Sequence, residues 1–590
     1  MTNQKLPPLG RLSRALAVLA LALLAACAEQ PAPQQNTSAA GELARERVTG
    51  TPGGALTYRV IQPLKTLNPL MFSDEASYTV AVHLLQSRLL DFDHDTHRYV
   101  AGLAESWQLG EDGRTMEVVL RDGLKFSDGQ PLTTEDIAFT LRAMYDERVK
   151  SLYRPTMMFA DKQIEAVVTD ARRMKLVFPE PVAAPEGYLV NLFALPRHVL
   201  EEDLKKGTLG TEAYSMTGDV QKIVTAGPFV VESAVPGERA VLKRNPNYWK
   251  RDPAGNQLPY LERLNVEVVA DPNTAVTRLT ESGLDIVDRI RASDYAGRRE
   301  GQGAVRAYDL GPGLSTDLII FNQNTGAKSL NPAKLAWFQD VRFRRAISHA
   351  VDRQTLASTT LQGLATPLYG FVSPGNRAWI AQDLPRAEYD LERAKALLRE
   401  AGFETRGTPD APELFDRAGN RVEFTLIVSQ TSDERKAMAA VVQEDLRRLG
   451  IKMDVAPVAT SEVVNRTLQS LDYEASLFGT VASDPDPSSY TNLLLSSSEH
   501  HQWHPKQPKP ATEWEARMDG LVGQLSRERN PEQRRALFRD MQILFAENMP
   551  VVPVVARHIA SAANTRVGNY RPSPVVPYSV WNAEELFVRK

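Results

Sequence analysis

From Thr51 onward the apolar positions switch between two spacings, one suited to strands and one to helices. Met116, Val118 and Leu120 recur at every second position and predict a strand. Asp122-Gly123 predicts a turn, Leu124 and Phe126 resume the alternation, and Asp128-Gly129 turns again, so a second short strand is expected there. Thr133 followed by Asp136 is close to a capping box, and Ile137, Leu141 and Met144 then recur at helical spacing. Farther along, Phe424, Leu426 and Val428 predict a strand, and Met438, Val442, Leu446 and Leu449 mark one face of a helix beginning near Ser432. Gly450 stands where that helix needs a positive φ, and Ile451, Met453 and Val455 alternate again. Strand, helix and strand in that order imply a parallel pair with a right-handed crossover. A further helix spans Asp390 to Ala401, capped by Asp390 and closed by Gly402. These patterns make the chain a mixed α/β protein without fixed-period repeats.

The first 27 residues follow a different pattern. Lys5, Arg11 and Arg14 precede an unbroken apolar run from Ala15 to Ala26, shorter than the roughly 20 residues of a spanning helix. The run ends in Leu24-Ala25-Ala26-Cys27, which resembles the lipobox of bacterial lipoproteins, with the Cys27 thiol as the nucleophile that accepts lipid. Residues 1–26 are therefore expected to be a lipoprotein signal peptide. Residues 27–50, which carry Pro31, Pro33, Gln30, Gln34, Gln35 and Asn36 and little that is apolar to pack, are expected to be a flexible tether anchored through Cys27.

At 590 residues the chain is long enough for several folding units, and 43% hydrophobic with 24% charged residues is ordinary globular composition. The formal charge of −4 becomes more negative once Lys5, Arg11 and Arg14 are removed, which argues against a nucleic-acid partner. A single cysteine excludes an intrachain disulfide and any cysteine-rich metal site. No GxxxxGK[ST], GxSxG or GxGxxG motif is present. His500, His501 and His504 offer three imidazoles in a Ser- and Pro-flanked stretch that reads as an exposed loop without a metal-binding pattern. Asp91-Phe92-Asp93-His94-Asp95 begins like a calcium loop, but Thr96 and Gly102 replace its required glycine and glutamate. Arg342, Arg344 and Arg345 follow Asp340 at a helix start and are expected to form structural ion pairs. No cofactor or metal is expected.

Several motifs occur in a telling order. Leu103-Ala104-Glu105-Ser106-Trp107 and Leu120 to Gly129 are followed by Ala226-Gly227-Pro228-Phe229 and by Arg244-Asn245-Pro246-Asn247-Tyr248-Trp249. Phe338 to Ile347 and Asp390 to Phe403 come next. Together they resemble the extracellular solute-binding proteins of family 5, from about Gly53 to the C-terminus. The resemblance implies a two-lobed type II periplasmic-binding-protein fold with an extra subdomain inserted in lobe 1. Lobe 1 would span residues 51–312, with the insertion at about 90–180. Lobe 2 would span 313–548, and residues 549–590 would return to lobe 1, so that the chain crosses the hinge near Leu310 to Gly313 and returns near Met549 to Val555. It also implies a monomeric, periplasmic, non-enzymatic receptor, tethered to the membrane by lipid. Such a receptor would close on oligopeptides or similar polar small molecules and deliver them to an ABC permease.

In the family's peptide receptors an aspartate before an acidic-Pro pair binds the peptide ammonium. The matching stretch here is Gly479 to Pro487, where Ser483 and Thr480 stand at the aspartate and tryptophan positions unless a one-residue shift gives the role to Asp484. Asp484 and Asp486 capping a turn around Pro485 and Pro487 is the competing reading. Asn68 to Tyr78, including Ser73, Asp74, Glu75, Ser77 and Tyr78, and Phe321-Asn322-Gln323 are the other candidate lining, with Asn322 and Ser77 foremost. The departures at Ser483 and Thr480 keep open a receptor for a nickel chelate, opine or oligosaccharide, and a lipid-anchored hydrolase is the rival from another class.

Overall fold

A computed structural model describes residues 47–159, 162–298, 303–482 and 485–589. Cys27, Ser483 and Asp484 lie outside the described residues.

The framework is a 12-stranded mixed sheet. Its main path runs Phe229–Val235, Arg239–Arg244, Arg263–Val268, Ala55–Val60, Ile286–Asp288, Val552–Asn564, Ser315–Phe321, Ala475–Val481, Glu423–Ser429 and Lys452–Val458. The long strand Val552–Asn564 is common to both ends of this path. Its residues 561–563 pair with Ile286–Asp288, while residues 552–555 pair with Ser315–Phe321. Two more strands flank it, Val305–Pro312 up to His558 and Ala365–Pro367 at Val555 to Arg557. The chain passes from one half to the other at Pro312–Ser315, beside the point where Val552–Asn564 changes partners.

The strand–helix–strand unit expected around Gly450 is present. Glu423–Ser429 and Lys452–Val458 pair in parallel, and helix Asp433–Arg447 joins them, capped by Ser432, whose Oγ accepts from Arg435 N. Gly450 has φ +82°. The helix buries Met438, Val442 and Leu446 in a core shared with Phe321, Phe338, Phe343 and Phe424. Phe321 meets Phe338 and Phe424 with ring centroids 4.9 and 5.5 Å apart. Burying such rings supplies about 1.5–3 kcal/mol each, the main drive for closing this half. Helix Leu391–Ala401 covers the same core and is capped by Asp390.

A separate antiparallel sheet interrupts the first half. Its strands run in the order Ala104–Leu109, Thr115–Leu120, Arg173–Val177 and Glu165–Val168. Helix Thr134–Tyr145 packs on it, started by the Thr133/Asp136 capping box that the sequence signals. Leu124 and Phe126 do not form the expected second strand. Both are buried, but between them only Lys125 makes a bridge, to Pro131, because the Asp122 and Asp128 turns leave too few residues for a ladder.

Two other expectations change. The His500 to His504 stretch is not an exposed loop, since His501 and Trp503 are buried. The Glu515 carboxylate gathers the segment, accepting from His501 Nε2 at 3.1 Å, Trp503 Nε1 at 3.1 Å, Gln507 Nε2 at 2.9 Å and Thr512 Oγ1 at 2.8 Å. Of the three arginines, Arg342 pairs with Asp340, whereas buried Arg344 donates to the carbonyls of Met549, Phe338 and Asn548, and Arg345 to that of Glu547.

Candidate ligand-binding site

The loop after strand Ala55–Val60 is built by its own polar groups. Asp74 caps the turn by accepting from Ser77 N at 2.8 Å, and Ser77 Oγ donates to Asp74 Oδ2 while accepting from Lys65 N. Asn68 Nδ2 donates to Leu209 O, and its Oδ1 accepts from Leu70 N. Tyr78 accepts from Arg88 Nη2 at 2.8 Å and meets Phe72 edge-on. Asn68, Ser77 and Tyr78 therefore hold the loop in shape. Glu75 projects differently, and its carboxylate forms an ion pair with Arg289 at 2.8 Å.

Asn322 is set apart from this region and from Thr480. Strands Ser315–Phe321 and Ala475–Val481 are antiparallel, with Thr316 opposite Thr480 and their hydroxyls 2.6 Å apart. Asn322 lies six residues farther along, about 20 Å away at roughly 3.3 Å per residue. Its buried amide donates to Leu471 O and Tyr473 O, both at 2.9 Å, and its Oδ1 accepts from Asn324 N. Asn322 thus closes a loop at the opposite end of the strand pair, and does not join Thr480 in one site. The carboxyl-end rule selected it, but an antiparallel strand points its carboxyl end the other way.

The strand end bearing Thr480 continues into Pro485 and Asp486. Pro485 O accepts from Asn376 Nδ2 at 2.8 Å. Asp486 caps the short helix Pro487–Tyr490 through Ser488 N and forms a two-point ion pair with Arg534 at 2.7 and 2.8 Å. Burial alone would raise the Asp486 pKa, but Arg534 and the Ser488 donors hold it below the usual carboxylate range. For Asp486 the turn-capping reading is the one the contacts support.

A charge cluster missed by sequence reasoning sits where Val552–Asn564 changes partners. Asp317, 1% exposed, pairs with Arg435 Nε and Arg557 Nε at 2.8 Å each, and Arg557 also pairs with Glu434 at 2.7 Å. Gly479 makes room for this, since a β-carbon there would lie 2.6 Å from Arg435 Nη2. The Asp317 charge raises the pKa of the Arg557 guanidinium. An aspartate at the head of the apolar run Leu318 to Phe321 was the only sequence signal.

On the other side of the crossing, a pocket opens at the carboxyl ends of the parallel strands Ala55–Val60 and Ile286–Asp288, lined by Tyr58, Arg59, Glu75, Thr79, Asp288 and Arg289. Asp288 is buried and accepts from Tyr58 Oη at 2.9 Å and from the Ser579 hydroxyl. Burial pushes its pKa up to about 6 against those hydrogen bonds. Arg59 spends its donors on the carbonyls of Val269, Ala270 and Asp288. Among the described residues no group of three or more His, Cys, Asp or Glu side chains is disposed to hold a metal ion.

This architecture has known relatives. The family model for bacterial extracellular solute-binding proteins, family 5, matches residues 98–502. A probable ABC transporter-binding protein of Deinococcus radiodurans is 30% identical over 424 residues, covering 70% of each chain. The ABC transporter substrate-binding protein CtaP of Listeria monocytogenes superposes with a TM-score of 0.75 at 21% identity, covering 92% of this chain and all of that one. The oligopeptide-binding protein AppA of Bacillus subtilis, solved with a nonapeptide, superposes with a TM-score of 0.69 at 23% identity, with the same coverage. A match over residues 98–502, together with relatives that span both halves of the sheet, establishes that the chain belongs to the bacterial extracellular solute-binding proteins of family 5, the two-lobed substrate-binding receptors of ABC importers.

Proposed function

We propose that this receptor captures oligopeptides or similar polar small molecules by closing its lobes, and hands them to a membrane permease without chemical turnover. The observation that carries this reading is the strand Val552–Asn564, whose two ends belong to different halves of the sheet and whose crossing is lined by paired charges. Two segments crossing side by side let one half rotate against the other while each sheet stays intact. Ligand then shifts the open and closed populations by its differential affinity for the closed form. The protein acts as a monomer outside the cytoplasm, held to the membrane by lipid on Cys27. Among the described residues no helix is long and apolar enough to cross a membrane, and the support for lipid attachment is the Leu24-Ala25-Ala26-Cys27 sequence.

A second reading, a receptor for a nickel chelate, opine or oligosaccharide, draws support from two side chains. Thr480 offers a hydroxyl paired with Thr316 and no aromatic wall, and the Asp486 charge is taken up by Arg534.

Thermal shift of the full chain carrying Cys27→Ser, screened against peptides, metal chelates, opines and oligosaccharides, separates these readings. Ligand at 100 times its dissociation constant stabilises the folded state by about 2.7 kcal/mol. A raised midpoint with peptides alone supports the first reading, and a response confined to another class replaces it. Turnover of any compound returns the hydrolase to consideration.

A further inference from the structure

The pair formed by Glu75 and Arg289 lines the pocket at the carboxyl ends of strands Ala55–Val60 and Ile286–Asp288. Arg289 follows directly on the strand Ile286–Asp288 and has φ +52°, a left-handed backbone that is costly for a residue bearing a β-carbon. Such strain persists where the surrounding structure enforces it, and it concentrates at functional sites. Here it turns the guanidinium back over the carboxyl ends of two parallel strands, into the pocket lined by Tyr58, Glu75 and Asp288.

The guanidinium is only partly used. It makes one ion pair, with Glu75 at 2.8 Å, and its carbon lies 5.6 Å from the centre of the Tyr578 ring. Its remaining N–H groups have no hydrogen-bond acceptor among the described residues, in contrast to neighbouring Arg59, each of whose three nitrogens donates to a carbonyl. About a third of the Arg289 side chain is exposed, and the residue lines the pocket. A planar fork with spare parallel donors is the geometry that binds a carboxylate through two hydrogen bonds. Glu75, its ion-pair partner, competes for the same cation, and the buried Asp288 carboxylate, held by Tyr58 and Ser579, adds a second negative charge beside it.

We propose that Arg289 forms a binding subsite for the carboxylate end of the transported ligand, with Glu75 holding the guanidinium in place until the ligand arrives. The inference rests on the receptor reading and adds the ligand's end group to it. It gives the two members of the pair opposite effects. Removing the cation abolishes recognition of the carboxylate, whereas neutralising Glu75 removes the competitor and strengthens it.

The test compares wild type, Arg289→Asn and Glu75→Gln by calorimetric titration with a tripeptide library bearing free carboxylates and with the same library C-amidated. Asparagine tolerates the left-handed backbone, so Arg289→Asn removes charge without adding strain. Melting of each ligand-free variant checks its fold. The expected result is that wild type prefers free carboxylates by about tenfold, Arg289→Asn loses that preference, and Glu75→Gln increases it. A purely structural pair predicts instead that both variants lose stability together while the preference stays as it was, and that outcome overturns the subsite. Wild type that binds both libraries equally also overturns the subsite, but leaves the receptor reading standing. Silence of wild type towards both libraries overturns the peptide reading, and the subsite with it.

Discussion

Asp486 and Arg534 meet through both carboxylate oxygens and both terminal guanidinium nitrogens, at 2.7 and 2.8 Å, with both side chains largely buried. The pair ties the loop after strand Ala475–Val481 to the helix Pro531–Asn548. Removing one partner takes a two-point ion pair from the other in a largely buried setting. Arg534→Met should therefore cost about 3–5 kcal/mol, and the double variant with Asp486→Asn should recover part of that loss. Because Asp486 has a depressed pKa in the folded state, its contribution is present above the unfolded value near 4 and is lost as pH falls through the lower native one. Chemical denaturation of the four proteins at pH 7 and pH 3 measures both effects.

Glu515 should behave as a second acid-labile clasp. Burial pushes its pKa up, but donors from His501, Gln507, Thr512 and Trp503 bring it down to about 2. A group depressed by some two units stabilises the fold by about 2–3 kcal/mol above pH 4 and ceases to do so as pH falls towards 2. Glu515→Gln should lose a similar amount at pH 7 and flatten the acid limb of the stability curve, as followed by Trp503 fluorescence during urea unfolding.

The Asp317 cluster predicts a larger penalty. Asp317→Asn leaves Arg435 and Arg557 with Glu434 as the one remaining carboxylate in the cluster. An uncompensated buried charge costs about 3–5 kcal/mol. Because Arg557 lies at the point where Val552–Asn564 changes partners, this variant should also alter the apparent affinity for ligand, which equilibrium binding at fixed ionic strength detects.

A contact between segments distant in sequence supplies a prediction about closure. Arg527 lies 3.9 Å from Glu180, just beyond strand Arg173–Val177, and Arg529 comes so close to Gly113 that a β-carbon there would be 2.9 Å from its Nη1. Exposed pairs of this kind are weak. Reversing both charges, Arg527→Glu with Arg529→Glu, should lower apparent ligand affinity by about two- to fivefold through a smaller closed population, without changing the melting midpoint of the ligand-free protein. Small-angle scattering should show a larger mean radius for the variant, and added salt should shrink the difference in affinity.

Local chemistry was readable from the sequence wherever the residues that make a contact are neighbours along the chain. The Thr133/Asp136 box, the Asp390 cap and the parallel pair around Gly450 are all of this kind. What escaped depends on register and on distant partners. Asn322 was chosen by the rule of strand ends and Thr480 by its place in the family's stretch, and only the antiparallel sense of their strands shows that they lie far apart. Glu75 stood among the candidates without a role, because its partner Arg289 is more than two hundred residues away. The His501 and Trp503 stretch looks like polar loop until Glu515 is seen to collect its donors.

The strand Val552–Asn564 also constrains when the protein can fold. It follows all the other strands of this sheet in the sequence, yet it lies between Ile286–Asp288 and Ser315–Phe321 at the middle of the sheet. Until it emerges from the ribosome, both halves keep an open apolar edge and neither can be completed. A chain stopped before Val552 is thus two unfinished sheets, with no complete lobe at either end. The order of the strands in the sequence postpones the finished sheet until nearly the whole chain has been made.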